Sequence, residues 1–448
     1  MTLRPVLFLL LAAVLAGCAG PRVQPVPVVR EHPLIGEARA LAREQQALHG
    51  PARRAAAGRI EALLSQLDDA TLAREAAALP AGDPLYAFAG RALLNRGLPL
   101  PRPFDRSQWK LDSADWPPAE RDGYRPPAEV ALLLPLSGSQ ATVAAAVRDG
   151  YLAGYYDETR RRPQLRFYDT AAAGGAGAAL ARAVADGADL VVGPLAREEV
   201  DAVFGGREPP LPVLALNRGE HLPPAGDASF SLSPEDEGVA AAEFLLERGA
   251  RRVLVVAGGE DVQQRAARAL QERLQARGAE VLGPLAYRPG LALAPQTPAP
   301  DAVFLALKAA QARELAPRLA LAGLAGIPRI ATSQVALGTG TPAEDAALDG
   351  LVFPTETWSV RRLPGRPTPE DAAARVASAR GPAARLFAFG YDAWLLTAYL
   401  EHLALDPNAR VQGLTGRLGL DGFGYVVRRP SWSRFQGGRA LPLDERTP

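Results

Sequence analysis

The sequence predicts an α/β fold built on a parallel sheet, and three observations predict it. Four short apolar runs lie between Glu129 and Asn217: Val130–Leu134, Leu165–Tyr168, Leu190–Val192 and Val213–Leu216. Helical patterns separate them, over Gln140–Arg160, Gly177–Ala185 and Ala196–Phe204. Each run ends in small or polar residues: Ser137-Gly138, Asp169-Thr170, Gly193-Pro194 and Asn217-Arg218. Strands alternating with helices mean βαβ units, and continuous apolar runs are strands covered on both faces. Ligands of such sheets bind beyond the carboxyl ends of the strands, which makes those four turns the candidate site.

At 448 residues the chain has room for two or three domains. Its formal charge of +1 and its one basic cluster, Arg160-Arg161-Arg162 at an expected helix end, argue against nucleic acid as a partner. Residues 1–18 read as a targeting segment, with Arg4 ahead of an apolar stretch, Val6–Ala16, too short to span a bilayer. It ends Leu15-Ala16-Gly17-Cys18, which resembles a bacterial lipobox and places the only cysteine at the residue that would carry lipid. Several acyl chains on one residue make a stable anchor. Ala19, in place of Asp, implies sorting to the outer membrane, facing the periplasm. With Cys18 lipidated, neither a disulfide nor thiol chemistry is expected.

Residues 19–33 form an extended tether, with prolines at 21, 25 and 27. Residues 34–98 carry helical spacing, as in Ile35, Ala38, Leu41 and Ala42 or Ile60, Leu63, Leu64 and Leu67, broken at Gly50-Pro51 and Pro80–Pro84. The region is a small helical domain, either tetratricopeptide-like or a simple spacer. Residues 99–128 hold seven prolines with Trp109 and Trp116, a linker expected to pack on a neighbouring domain.

From residue 129 to the end the first βαβ lobe is followed by a second. Ser233 caps a helix over Pro234–Glu247 whose first turn is Glu235-Asp236-Glu237. Strands follow at Arg252–Val256, Glu280–Leu285, Ala302–Leu305, Arg329–Ala331 and Leu351–Phe353, with helices at Asp261–Ala276 and Ala309–Ala322. Ala384–Leu403 reads as a long amphipathic helix, and Leu418–Val427 around Asp421-Gly422 as a terminal hairpin.

Two lobes, a late long helix and a terminal strand pair resemble the type I periplasmic binding-protein fold. The wording VALLLPLSGSQATVAAAVRDGYLAGYY (130–156), YDT (168–170), GADLVVGPL (187–195), PVLALN (212–217), RLFAFGYDAW (385–394) and GLTGRLGLD (413–421) resembles the LpoA family. The resemblance implies a two-lobed binding-protein-like domain preceded by a small all-α, tetratricopeptide-like domain. It also implies an outer-membrane lipoprotein that activates a class A penicillin-binding protein from the periplasmic side. Family members have a much longer helical domain than residues 34–98 provide.

Each candidate residue has a structural alternative. In solute-binding proteins of this fold the Ser137-Gly138 turn contacts ligand; otherwise Ser137 caps the next helix. Asp169-Thr170 either binds an ammonium group or makes an Asx turn. Pro194 sits near the first position of a helix. Asn217-Arg218 is a polar pair facing the crevice, and Tyr391-Asp392 is a buried polar pair within an apolar helix. No enzyme signature emerges: His32, His49, His221 and His402 are scattered, and neither a metal-binding spacing, a nucleophile elbow nor a phosphate loop is present. No cofactor is expected. The expectation is therefore a regulator that works by contact, with a lipid-anchored solute-binding protein for an amino acid or similar small ligand as the alternative.

Overall fold

The computed structural model describes residues 31–48, 50–102, 116–205, 209–224, 226–295, 297–336 and 341–443. Cys18, tether residues 19–30, His49 and Trp109 lie outside the described residues, and the last tether residue, Pro33, is already helical.

Among the described residues four helices come first: α1 (Pro33–Gln45), α2 (Gly50–Ser65), α3 (Asp69–Ala78) and α4 (Leu85–Asn95). Pro33 opens α1 where its missing N–H costs nothing, and Asp68 caps α3 by accepting from Thr71 N at 2.9 Å. Their apolar faces meet in a core that includes Ile35, Ala42, Ile60, Leu64, Leu72 and Leu93.

Lobe 1 contains β1 (Glu129–Leu134), α5 (Ala141–Asp157), β2 (Gln164–Asp169), α6 (Gly175–Ala185), β3 (Leu190–Val192), α7 (Arg197–Phe204), β4 (Val213–Ala215) and β5 (Ala228–Ser229). Its sheet is wholly parallel, in the order β2-β1-β3-β4-β5. Val130 through Leu134 are all buried, which is why the run is continuously apolar.

Lobe 2 contains α8 (Pro234–Glu247), β6 (Arg252–Ala257), α9 (Asp261–Ala276), β7 (Glu280–Ala286), β8 (Ala302–Ala306), α10 (Ala309–Leu321), β9 (Arg329–Ala331), α11 (Pro342–Asp345) and β10 (Leu351–Thr355). Two short helices, α12 (Thr357–Val360) and α13 (Pro369–Arg375), lead to the long α14 (Ala384–Leu405). The chain ends in β11 (Val411–Gln412), β12 (Arg417–Leu420), β13 (Val426–Arg429), β14 (Ser431–Gln436) and β15 (Arg439–Pro442).

Two features depart from the sequence reading. The hairpin β12–β13 forms, but it is not terminal: β14 and β15 follow and add antiparallel strands to the lobe 2 sheet, ordered β15-β14-β10-β9-β8-β6-β7. And α14 is not amphipathic. It is buried nearly all round, Asp392, Thr397 and Glu401 included, because it returns to lobe 1 and lies against α5. That crossing is close. A Cβ on Gly150 would run into the Phe387 carbonyl, and one on Gly390 into the Val147 carbonyl.

The linker is held to lobe 1 by Tyr124 and Arg125. Arg125 N donates to Ala398 O at 2.9 Å and its Nη1 reaches both oxygens of Glu401 at 2.9 and 3.1 Å. Trp116 contributes its carbonyl, which accepts from Arg125 Nη2 at 3.1 Å. The helical domain instead rests on lobe 2 and the hairpin, through Arg273 to the Asn95 carbonyl (2.7 Å) and Phe88 against Phe423.

Candidate functional site

The carboxyl ends of the lobe 1 strands are cross-braced by their own polar side chains. Asp169, at the end of β2, accepts from Leu136 N (2.8 Å) and Ala171 N (2.9 Å) with Oδ1, and from Ser137 Oγ (2.7 Å) with Oδ2. The bond to Ala171 is an Asx turn. The Ser137 hydroxyl and the backbone donors hold the Asp169 carboxyl below its ordinary range, against a smaller opposing effect of burial. Ser137 gives its hydroxyl to Asp169, and the N-cap of α5, Gln140, makes no side-chain cap. Gly138 turns the chain at φ +74°.

Thr170 is buried, its N–H donating to Leu134 O at 3.0 Å while its Oγ1 has no hydrogen-bond partner. Gly193 adopts φ +107° and abuts the Leu133 carbonyl so closely that no side chain fits. Pro194 follows it through a cis peptide bond and precedes the N-cap of α7, Ala196, rather than sitting inside the helix. Its carbonyl accepts from Leu216 N at 2.9 Å.

Asn217 ties three segments together. Its Nδ2 donates to Leu195 O (2.9 Å), its Oδ1 accepts from Arg218 N (2.9 Å), and its carbonyl accepts from Ser229 Oγ (2.6 Å). Arg218 leaves this group. It lies over the Tyr425 ring at 4.1 Å and donates to Asp236 Oδ1 at 2.8 Å, at the passage from lobe 1 to lobe 2. The structure therefore brings Ser137 to Asp169 and Pro194 beside Asn217, and places Arg218 in the inter-lobe connection.

The cluster that sequence reading missed joins the start of α14 to lobe 2. Arg385, in the first turn of α14, donates from Nη2 to Glu237 Oε1 (2.5 Å) and from Nη1 to Ser333 Oγ (2.7 Å), and its Nε lies 2.9 Å from Glu356 Oε1. Glu237 also accepts from Ser333 N at 2.9 Å and Ser333 Oγ at 2.6 Å. Burial pushes the Glu237 carboxyl up, but Arg385 and the Ser333 donors outweigh it and hold the group below its ordinary range. A cavity of about 350 Å³ beside this cluster is lined by Glu356, Trp358, Glu370, Ala379, Arg380 and Arg385. The one available signal was the acid run Glu235-Asp236-Glu237. The helix dipole explains it only in part, since the three acids pair in turn with Arg265, Arg218 and Arg385.

Asp392, in the middle of α14, is fully buried. It accepts from Leu414 N (2.5 Å), Thr415 N (2.8 Å) and Thr415 Oγ1 (2.5 Å), fastening the helix to the connection that enters β12. Burial pushes its carboxyl up to about 6 despite these donors.

These groups brace and clamp. Ser137 donates to Asp169, a carboxylate held below its ordinary range and therefore a weak base. His221 is held by Asp201 at 3.0 Å. Among the described residues there is no group of three or more His, Cys, Asp and Glu placed to hold a metal, and no helix long and apolar enough to cross a membrane.

The family described as LppC putative lipoprotein matches residues 124–283 and 288–438. The penicillin-binding protein activator LpoA of Photobacterium profundum is 29% identical over 356 residues, covering 70% of this chain and 57% of that protein. The activator of the same name from Klebsiella pneumoniae is 28% identical over 318 residues, covering 62% of this chain and 44% of that one. The chain thus spans about half the length of the curated relatives it matches. Among solved structures, the C-domain of Haemophilus influenzae LpoA, described as a regulator of PBP1A, superposes with a TM-score of 0.62 at 23% identity, covering 71% of this chain and all of that one. A Chromobacterium violaceum structure described as a putative branched-chain amino acid ABC transporter superposes at 0.54 with 27% identity, covering 69% of this chain and all of that one.

Proposed function

The chain belongs to the LppC putative lipoprotein family, and from that premise we propose that it is an outer-membrane lipoprotein, anchored at Cys18, that binds and activates a class A peptidoglycan synthase in the periplasm. The observation that carries this reading is its similarity, over 318 to 356 residues, to relatives named penicillin-binding protein activators. The geometry agrees with a role by contact. The strand-end polar groups that would receive a solute, Ser137, Asp169 and Asn217, are engaged with one another and with backbone. A regulator of this kind needs only to bind the active state of its partner better than the inactive one. It needs no chemistry of its own.

The test is peptide cross-linking by a purified class A synthase, with and without residues 19–448 prepared free of lipid. A saturable rise is the expected result. Absence of both binding and stimulation would overturn the reading.

The second reading, a lipid-anchored solute-binding protein for an amino acid or other small ligand, is favoured by the likeness to the Chromobacterium violaceum chain. It predicts a rise in melting temperature with some amino acid. The activator reading predicts none.

A further inference from the structure

The small sheet β11-β12-β13 has one face in the lobe 1 core, through Leu418, Leu420 and Val426. Its other face is exposed and basic. The register sets Arg417 directly opposite Arg429, with Gln412 beside Arg417 and Val427 opposite Gly419. Arg410 lies across Gly419, where a Cβ would stand 2.8 Å from its Cδ and Nε. Three guanidinium groups thus share one small face around Val427, which is 46% exposed.

This is an unfavourable way to build a sheet. Like charges directly opposite on an antiparallel pair are destabilising. Among the described residues Arg410 donates to the carbonyls of Pro407 and Ala409. Burial and the fields of Arg429 and Arg417 depress its pKa, with Asp406 opposing them. Arg218, Arg265 and Arg385, by contrast, each have a carboxylate partner, in Asp236, Glu235 and Glu237. Among the described residues no carboxylate pairs with Arg410, Arg417 or Arg429.

We propose that the face carrying Arg410, Arg417 and Arg429 is the docking surface for an acidic, extended segment of the partner protein. The inference rests on the activator reading and deepens it. Arg417 and Arg429 sit side by side and would share the carboxylates of one position. Val427 and Arg410, two residues along, would meet the next side chain on the same edge of an extended strand. A membrane surface fits less well, because three charges around one valine on a flat sheet lack the broad apolar face that interfacial binding uses.

The experiment compares wild-type residues 19–448 with R417E/R429E and R417K/R429K, measuring binding to the purified class A synthase and melting temperature. In the expected result the wild type binds in a salt-sensitive way and R417E/R429E weakens binding by about tenfold or more. R417K/R429K then keeps most of the affinity, and the melting temperature of R417E/R429E is unchanged or higher. If R417E/R429E is itself unstable, R429Q, which only removes charge, is expected to weaken binding by a few-fold with no loss of melting temperature. Equal affinity of wild type and charge-reversed chain would overturn the docking surface and leave the activator reading standing. A wild type that does not bind the synthase would overturn both. Loss of binding to phosphatidylglycerol vesicles, with synthase binding intact, would assign the face to a membrane and overturn the inference.

Discussion

Arg385 donates to Glu237 at 2.5 Å across the division between the lobes: α14 packs on lobe 1, whereas Glu237 belongs to the first helix of lobe 2. Only 6% of the Glu237 side chain is exposed, so it depends on this partner. Breaking a buried pair by removing one member leaves the other charge unpaired and costs about 3 kcal/mol or more. R385A is therefore expected to lower stability by about that amount in urea unfolding at pH 7. R385K should recover only part of it, because a lysine cannot serve Glu237, Ser333 and Glu356 together. Glu237 is held below its ordinary range, so its contribution is full above the unfolded value and is lost as pH falls through the folded one. E237Q should show a shallower loss of stability on acidification below about pH 4.5 than the wild type.

Asp392 has the opposite sign. Its carboxyl is pushed from 3.8 up to about 6. The folded chain therefore binds this proton more tightly than the unfolded chain, and stability falls as pH rises through that window. The full effect is on the order of 2–3 kcal/mol. In D392N that slope should vanish. At pH 7 the same substitution is expected to destabilise, because Leu414 N and Thr415 N both point at the carboxylate and an amide offers them one acceptor. An unpaired buried N–H costs about 1–3 kcal/mol. Unfolding curves of the two chains between pH 4 and 7 check both statements.

How much of this was legible in the sequence depended on whether the signal was local. Leu190–Val192, Pro234–Glu247, Asp261–Ala276 and Arg329–Ala331 have the bounds expected of them, because burial on both faces or a cap such as Ser233 is written in adjacent residues. Strand β14 also carried a local signal, since Ser431, Ser433 and Phe435 point inward and alternate with outward Arg434 and Gln436. The complete hairpin just before it, β12–β13, masks that signal. Arg385 and Glu237 were not legible. They lie 148 residues apart: an acid in a first turn has a partial local explanation in the helix dipole, and a cation at a helix start, which the dipole opposes, does not name its distant partner. The role of Asn217 was hidden similarly: a polar residue at a strand end looks the same whether it faces a ligand or ties β3 to β5.

The contact of α5 with α14 also has a signal, in the four-residue spacing of Gly150 and Gly154. Gly150 meets the backbone of α14 directly, and Gly154 makes room for the Trp394 ring. G150A or G390A must push the helices apart, since the atom each would strike is a carbonyl oxygen that cannot swing away. Overpacking of this kind costs about 1–3 kcal/mol, occasionally more. An alanine at Gly177, which meets nothing within 4 Å, is the control and should change stability little. Thermal unfolding of the three variants separates the cases.

Phe423, at the turn between β12 and β13, reaches into the helical domain, edge-on to Phe88 at 5.8 Å and under the Arg91 guanidinium at 4.4 Å. The same domain touches lobe 2 through Arg273, which donates to the Asn95 carbonyl, and through Gly97, packed against Arg277. The first contact is apolar and enclosed, and the second is exposed and polar, so the aromatic contact should carry most of the attachment. F423A is expected to leave the protection of β1, β6 and α14 against hydrogen exchange intact while α4 loses protection, and R273A alone should change little. If R273A instead loosens α4 and F423A does not, the polar contact holds the domain. Where anchoring and reach matter, the consequence is functional. On the proposed activator reading, a lipidated F423A chain with a loosened helical domain should still bind the synthase, yet activate it less in membrane vesicles than in detergent, because the anchor would no longer fix the position of the lobes.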